Sequence, residues 1–342
     1  MASRDAAARG YFQQLFDRSA EATGERGSRE CRLQVAGRQV SLLFANPEFD
    51  AVILPALRHL ESASVGKAEL AIHLWDSATT GFDPPRPPWQ VPTGGPWIYR
   101  SDALRATNIR ETNSIIVIDH ARGEAVFWTA DVKRLPIVER GSPLLRLWAW
   151  WLGKGEVQFT HAAALGNDAG AALLLGPGGS GKSTTALQSL QSPLYYLGDD
   201  YCLIRSRPGP AVFSLYSSGK VNASERERFP WLENTFAGLD AEKALFQLYP
   251  AFADRIAKEK PLTVLLACRV TGQPDSSIEP LSSAMITRMS APSTVVQLHS
   301  IIDAATGLRT MAELAQHLPA FRLNLGLRRD RIPELIAELL NR

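Results

Sequence analysis

Between Leu173 and Thr185 the chain reads three leucines and then Gly-Pro-Gly-Gly-Ser-Gly-Lys-Ser-Thr-Thr. From Gly176 this is the spacing G-x-x-x-x-G-K-S, and it sits where an apolar strand should give way to a helix, the context in which that spacing signals a phosphate site. Gly176, Gly178, Gly179 and Gly181 free the backbone to aim successive N–H groups, through Ser180 to Thr184, at one polyphosphate. The helix opening near Lys182 adds its positive end, Lys182 reaches the outer phosphates, and the Ser183 hydroxyl is placed to complete a magnesium shell. A purely structural turn has no need of the Lys-Ser pair. The expected ligands are ATP and Mg2+.

Two further groups flank this loop. Downstream, Tyr195 to Ile204 carries Asp199 and Asp200 side by side between apolar runs. Like charges buried together are costly unless a cation is shared. If the segment leaves a strand, successive side chains face opposite sides, one toward a metal and one toward an acceptor. Taken alone, the pair reads better as a solvated Gly-Asp turn. Upstream, His161 lies in an apolar stretch, Gln158 to Gly166, followed by the turn Asn167 to Gly170. A lone histidine on such a strand is more often a core residue than a catalytic one.

The order His161, glycine loop, Asp pair, all between residues 161 and 200, resembles the catalytic domain of HPr kinase/phosphorylase and its relatives, and more remotely phosphoenolpyruvate carboxykinase. The resemblance runs from about Trp148 to Arg342, and the segment His161 to Asp200 is what carries it. It implies an α/β P-loop catalytic domain of the HPr kinase/phosphoenolpyruvate carboxykinase-like fold, preceded here by a small α+β domain. The second, glycine-rich signature of the true enzymes is missing after the Asp pair, and the N-terminal region shows no match to theirs. Phosphorolysis and HPr as substrate are therefore not implied. Relatives of this shape also act as kinases on ribosomally made peptides such as lasso peptides.

The whole-chain figures exclude several classes. The 342 residues allow two domains, and 37 Lys and Arg against 35 Asp and Glu leave a net charge of +2. That balance points neither to a nucleic-acid binder nor to an acidic tail. Cys31, Cys202 and Cys268 have neither zinc nor disulfide spacing. No stretch has the length of a membrane span and the first residues are not a signal peptide, so a cytoplasmic protein is expected.

The remaining elements divide into an N-terminal helix and connection (1–30), an α+β recognition domain (31–140) and the catalytic domain (141–342). Tyr11, Phe12, Leu15 and Phe16 predict a helix over Ala6 to Arg18, serving either the first domain or a dimer contact, with a mobile connection from Ser19 to Arg29. Hairpins are expected about Ala36-Gly37 and about Ala121 to Gly123, a helix over Pro47 to Leu60, a strand over Glu69 to Trp75, and an extended loop through the prolines at 84 to 96. Pro143 to Leu152 predicts a buried helix bridging the two domains. In the second half, strands are expected at 201–205, 212–215, 262–269 and 321–325, with helices at 282–290 and 332–340. Lys220, beside a Gly-Ser turn, is a phosphate candidate or an exposed loop lysine, and Arg288, Arg328, Arg329 and Arg331 are weaker candidates.

The chemistry these residues suit is ATP- and Mg2+-dependent phosphorylation of a serine hydroxyl on a peptide or small protein. Asp199 is assigned as the base that orients or deprotonates the hydroxyl, Ser183 and Asp200 as magnesium ligands, and His161 and Lys182 as groups about the transferred phosphate. A small-molecule kinase is the alternative enzyme, and an ATP-binding regulator or ATPase the alternative class. Acceptor selection falls to the N-terminal domain, whose Trp75, Trp89 and Trp97 accompany no catalytic group. No nucleic acid or membrane partner is expected, and a homo-oligomer is left open.

Overall fold

The structure is a computed structural model that describes residues 2–24, 29–64, 66–91, 95–153, 155–291 and 304–342. The chain forms two compact units, Met1–Trp151 and Leu152–Arg342. Both mix helices and sheets.

The first unit is built on a seven-stranded sheet. In chain order its elements are α1 (Ala2–Gly24), β1 (Arg29–Val35), β2 (Arg38–Phe44), α2 (Pro47–Ile53), β3 (Leu70–Asp76), α3 (Ser77–Thr80), β4 (Ile98–Arg100), β5 (Leu104–Ile109), β6 (Ser114–Asp119), β7 (Glu124–Thr129), α4 (Ile137–Gly141) and α5 (Leu145–Leu152). The strand order is β1-β2-β3-β7-β6-β5-β4. The β1–β2 hairpin turns on Ala36 and Gly37 with φ of 48° and 81°, the left-handed pair that a two-residue hairpin demands.

Helix α1 runs past the expected end at Arg18. Ala8, Tyr11, Phe12, Leu15, Phe16, Ser19 and Ala22 are all buried, one continuous stripe at helical spacing. The stripe packs on Trp75, Ala106, Val117, Val126 and Trp128 of the sheet, so this face belongs to the unit's own core and is not left over for a dimer contact. Of the expected mobile connection, residues 19–24 are helical and 25–28 lie outside the described residues. The helix expected over Pro47 to Leu60 is broken: α2 stops at Ile53, and only a short 3-10 turn follows at Arg58–Leu60. The aromatic helix α5 begins at Leu145, after Leu144 with φ 61°.

The second unit contains β8 (Gln158–Thr160), β9 (Ala163–Gly166), β10 (Ala171–Leu175), α6 (Lys182–Gln188), β11 (Tyr195–Gly198), β12 (Cys202–Arg205), β13 (Ala211–Phe213), β14 (Ser218–Asn222), β15 (Phe236–Leu239), β16 (Lys243–Gln247), β17 (Glu259–Val270), β18 (Ser277–Leu281), α7 (Ser283–Ala291), α8 (Ala304–His317), β19 (Ala320–Leu325) and α9 (Ile332–Leu340). The large sheet follows β11-β9-β10-β17-β13-β12-β8, with β19 also paired to β17 and β18 to β19. Strand β17 makes this branching possible. Its first residues pair antiparallel with β13, while Leu262 to Ala267 run parallel to β10 and Leu265 to Val270 parallel to β19.

Strand β10 is buried on both faces, as a central strand must be. Ala172 and Leu174 join Ala186 and Leu187 of α6 and Ile336 and Leu340 of α9 on one side. Leu173 and Leu175 meet Ile286 of α7 and Met311 and Leu314 of α8 on the other. The glycine loop therefore leaves a strand that is packed on both faces. A separate sheet, β14-β16-β15, contributes Val221, Ala244 and Phe246 to the α6 side.

Candidate active site

Strand, glycine loop and helix follow one another as the sequence requires. Gly176 has φ 142°, and a Cβ there would stand 2.7 Å from Ser180 Oγ and 3.1 Å from the Cys268 carbonyl. At Gly181, φ is 95° and a Cβ would fall 2.4 Å from Leu325 Cδ1. The loop is thus folded tightly against β17 and β19, and at these two positions any side chain would displace it. Gly178 meets nothing within 4 Å. Lys182 curls back over the loop: its Nζ donates to the carbonyls of Gly176 at 2.7 Å and Pro177 at 3.1 Å. Burial pushes its pKa down, partly offset by the charges of Asp199, Cys268 and Asp200. Ser180 Oγ is buried without a hydrogen-bond partner.

The Asp pair does not alternate as strand residues do. Strand β11 ends at Gly198, Asp199 and Asp200 form the bend beyond it, and Asp200 takes a left-handed φ of 64°. Aspartate tolerates this region better than most residues because its short side chain bonds locally. The two carboxylates still part company, and their surroundings differ sharply. Asp199 is 4% exposed, and neither oxygen has a hydrogen bond of good geometry. Burial first, then the neighbouring charge of Asp200, pushes its pKa up to about 7, although the Ser183 hydroxyl lies close enough to favour the charged form. For Asp200 burial acts the same way, but Lys220 and His161 outweigh it and hold the carboxyl well below the usual range.

Lys220 Nζ is 2.8 Å from Asp200 Oδ2, and His161 Nε2 is 3.7 Å from Oδ1, long for a hydrogen bond but within Coulombic reach. Lys220 is neither in a turn nor an exposed loop lysine. It lies in β14 opposite Leu245 and is 8% exposed. Burial pulls its pKa down, but Asp200 more than restores it, so the net shift is upward. Two contacts fix its strand against the loop helix. A Cβ at Gly219 would lie 2.4 Å from Leu187 Cδ2, so only glycine lets β14 press on α6. The buried Tyr196 hydroxyl donates to the Ser218 carbonyl at 2.7 Å, tying β14 to β11.

His161 is not on a strand, as its apolar neighbours suggested, but in the break between β8 and β9. Its ring meets Tyr201 edge-on with centroids 5.9 Å apart, and Lys220 Nζ stands 5.7 Å from the centroid of the Tyr201 ring. Tyr201 was not legible as a site residue, since an aromatic next to a strand reads as core. Of the C-terminal arginines, Arg328 pairs with Asp275 and Arg331 with Glu334 on exposed side chains, while burial and Arg228 lower the pKa of Arg329. Arg288 is exposed in the last turn of α7. None of the four enters the interactions of the Asp pair among the described residues.

At the carboxyl ends of β17 and β19 lies a cavity of about 430 Å³, bordered by Arg269, Thr271, Gln273, Asp275 and Asn324. Val270, also on its wall, stands 3.5 Å from where a Gly181 Cβ would be, so the cavity adjoins the glycine loop. No group of three or more His, Cys, Asp or Glu side chains gathers as a metal cluster among the described residues. The oxygens of Asp199 and Ser183 nevertheless fit magnesium, which takes one or two carboxylates and draws its other ligands from phosphate and water. A buried carboxylate without a hydrogen bond of good geometry is the kind of donor such an ion would relieve.

No family model matches this chain, and no curated protein matches it by sequence. Among solved structures it is similar to the Hpr(Ser) kinase/phosphatase from Coxiella burnetii, at 10% identity over 53% of this chain and 95% of that chain, with a TM-score of 0.31. A likeness that slight assigns neither family nor activity. No helix among the described residues is long and apolar enough to cross a membrane.

Proposed function

We propose that this chain is an ATP- and Mg2+-dependent kinase that phosphorylates a serine hydroxyl on a peptide or small protein. The observation that carries the reading is the meeting of the glycine loop with two unlike carboxylates. Asp199 lies beside Ser183 of the loop, and Asp200 is held by Lys220 and His161. A switch ATPase needs the loop and one metal-side carboxylate. A second carboxylate, separately neutralised and part-exposed, is the group that an acceptor requires.

The division of labour that fits these surroundings exchanges the two aspartates relative to the sequence-based assignment. Ser183 and Asp199 hold magnesium, which when bound would neutralise charge on the phosphates. Asp200 accepts a hydrogen bond from the serine hydroxyl and orients its oxygen toward the terminal phosphate. The low pKa of Asp200 is no obstacle, because a loose phosphoryl-transfer transition state asks for orientation more than for early proton removal. Lys220 keeps Asp200 ionised and presents positive charge on the acceptor side, and His161 stands 3.7 Å from the other oxygen of the same carboxylate. Lys182 exchanges the carbonyls of Gly176 and Pro177 for phosphate oxygens, a swap that its lowered pKa and short reach make inexpensive. The cavity next to Gly181 is placed to take the nucleoside.

Incubation with γ-labelled ATP and Mg2+, with and without serine-containing acceptors, tests the reading. Label transferred to a seryl hydroxyl supports it, and phosphate released equally with or without any acceptor overturns it in favour of an ATPase.

A further inference from the structure

The seven-stranded sheet of the first unit ends on β4. Among the described residues β4 pairs with β5 alone, and it is the last strand of the seven. It is held rigidly: the Trp97 N–H donates to Asn108 Oδ1 at 2.7 Å, and Thr107 Oγ1 donates to the Trp97 carbonyl at 2.9 Å. Ile98, at its start, is 70% exposed.

The two faces beside this edge differ in chemistry. On the side of α1, Trp89, Trp97, Tyr99 and Ala8 border a cavity of about 200 Å³. Tyr11 stacks edge-on against both tryptophans and has a hydroxyl buried without a partner. On the other face, Arg100 stands directly opposite Arg105 in the register of β4 and β5. Like charges across a strand pair repel, and neither arginine forms an ion pair among the described residues. Arg105 has its Nε buried without a partner, and burial and the Arg100 charge both lower its pKa.

We infer that the β4 edge docks an extended peptide segment whose side chains alternate between apolar or aromatic and acidic. Added as an eighth strand, such a segment would run along the outer edge of β4. Because strand side chains alternate in direction, it would drop one set into the Trp89–Trp97 cavity and bring the other to Arg100 and Arg105. The same arginines disfavour pairing of two copies of this chain edge to edge, since both would bring the same charge. The inference rests on the proposed peptide kinase only for its consequence, delivery of an acceptor, and the surface itself stands independently of catalysis.

The test is fluorescence anisotropy of the full chain, without nucleotide, titrated against a fluorescein-labelled decapeptide alternating glutamate with valine or phenylalanine. A second decapeptide carries lysine in place of every glutamate. The glutamate peptide should bind at least about ten-fold more tightly than the lysine peptide. R100E leaves one charge of each sign at this edge, so it should bring the two peptides to equal affinity while the thermal midpoint does not fall, an outcome loss of structure cannot produce. Ile98→Pro should weaken both. Equal binding of the two peptides by the wild-type chain, an order unchanged by R100E, or binding of neither peptide overturns the inference. A chain that binds the peptide but transfers no label would leave the docking surface standing and overturn only the kinase reading.

Discussion

The buried Lys220 and the part-exposed Asp200 form an ion pair of 2.8 Å between a strand of the small sheet and the bend after β11. Each is tied to the glycine loop by a different route, Lys220 through the close contact of Gly219 with Leu187 of α6, and Asp200 through its neighbour Asp199 beside Ser183. The pair makes part of the site's electrostatics a property of folding.

Lys220→Met should therefore cost stability as well as activity. Removing Lys220 leaves Asp200 charged and uncompensated in a site only partly open to water, at about 2 kcal/mol. Urea unfolding should show this loss, and the double variant Lys220→Met with Asp200→Asn should recover most of the stability but none of the transfer. A single variant as stable as the wild-type chain would mean that the pair does not form in solution.

The two aspartates should separate in a magnesium titration. Asp199→Asn raises the Mg2+ concentration needed for half-maximal transfer, whereas Asp200→Asn leaves that requirement nearly unchanged and lowers turnover by about a hundred-fold or more. The opposite pattern would return the base role to Asp199 and the metal to Asp200.

Asp199 should also dominate pH dependence. Its folded pKa of about 7 lies above the ordinary value of 3.8. Between those values the folded chain holds a proton that the unfolded chain has lost. This group's contribution to stability is thus present at low pH and lost as pH rises toward 7. Asp199→Asn should raise the thermal midpoint at pH 8 and leave it almost unchanged near pH 4. In the wild-type chain, affinity for Mg2+ by calorimetry should rise about ten-fold per pH unit below 7 and level off above it, since the ion displaces the proton.

Lys182→Ala should abolish transfer and weaken ATP binding, because Lys182 is the charged side chain of the loop. Its Nζ is satisfied only by two loop carbonyls that are not themselves charged, so the thermal midpoint without nucleotide should change little. The stabilisation that ATP gives the wild-type chain should largely disappear.

The sequence by itself determined the local parts. The leucine run before Gly176, the glycines and the Lys-Ser pair dictate a strand, a left-handed loop and a helix, because each rests on backbone preferences a few residues long. Alternation and helical spacing likewise located the β1–β2 hairpin, the β6–β7 hairpin, β19 and α9. Only the tertiary structure decided the rest. Lys220 looked like a loop residue because Ser-Gly precedes it, yet cross-strand pairing with Leu245 and the packing of Gly219 on Leu187 bury it. His161 looked like a strand residue because its neighbours are apolar, yet β8 and β9 pair with different strands and the chain breaks between them. The unlike settings of Asp199 and Asp200 were beyond any reading of the sequence. Burial and charge partners set a carboxylate's proton affinity, and here those partners arrive from segments some twenty and forty residues away that only the folded sheets bring together.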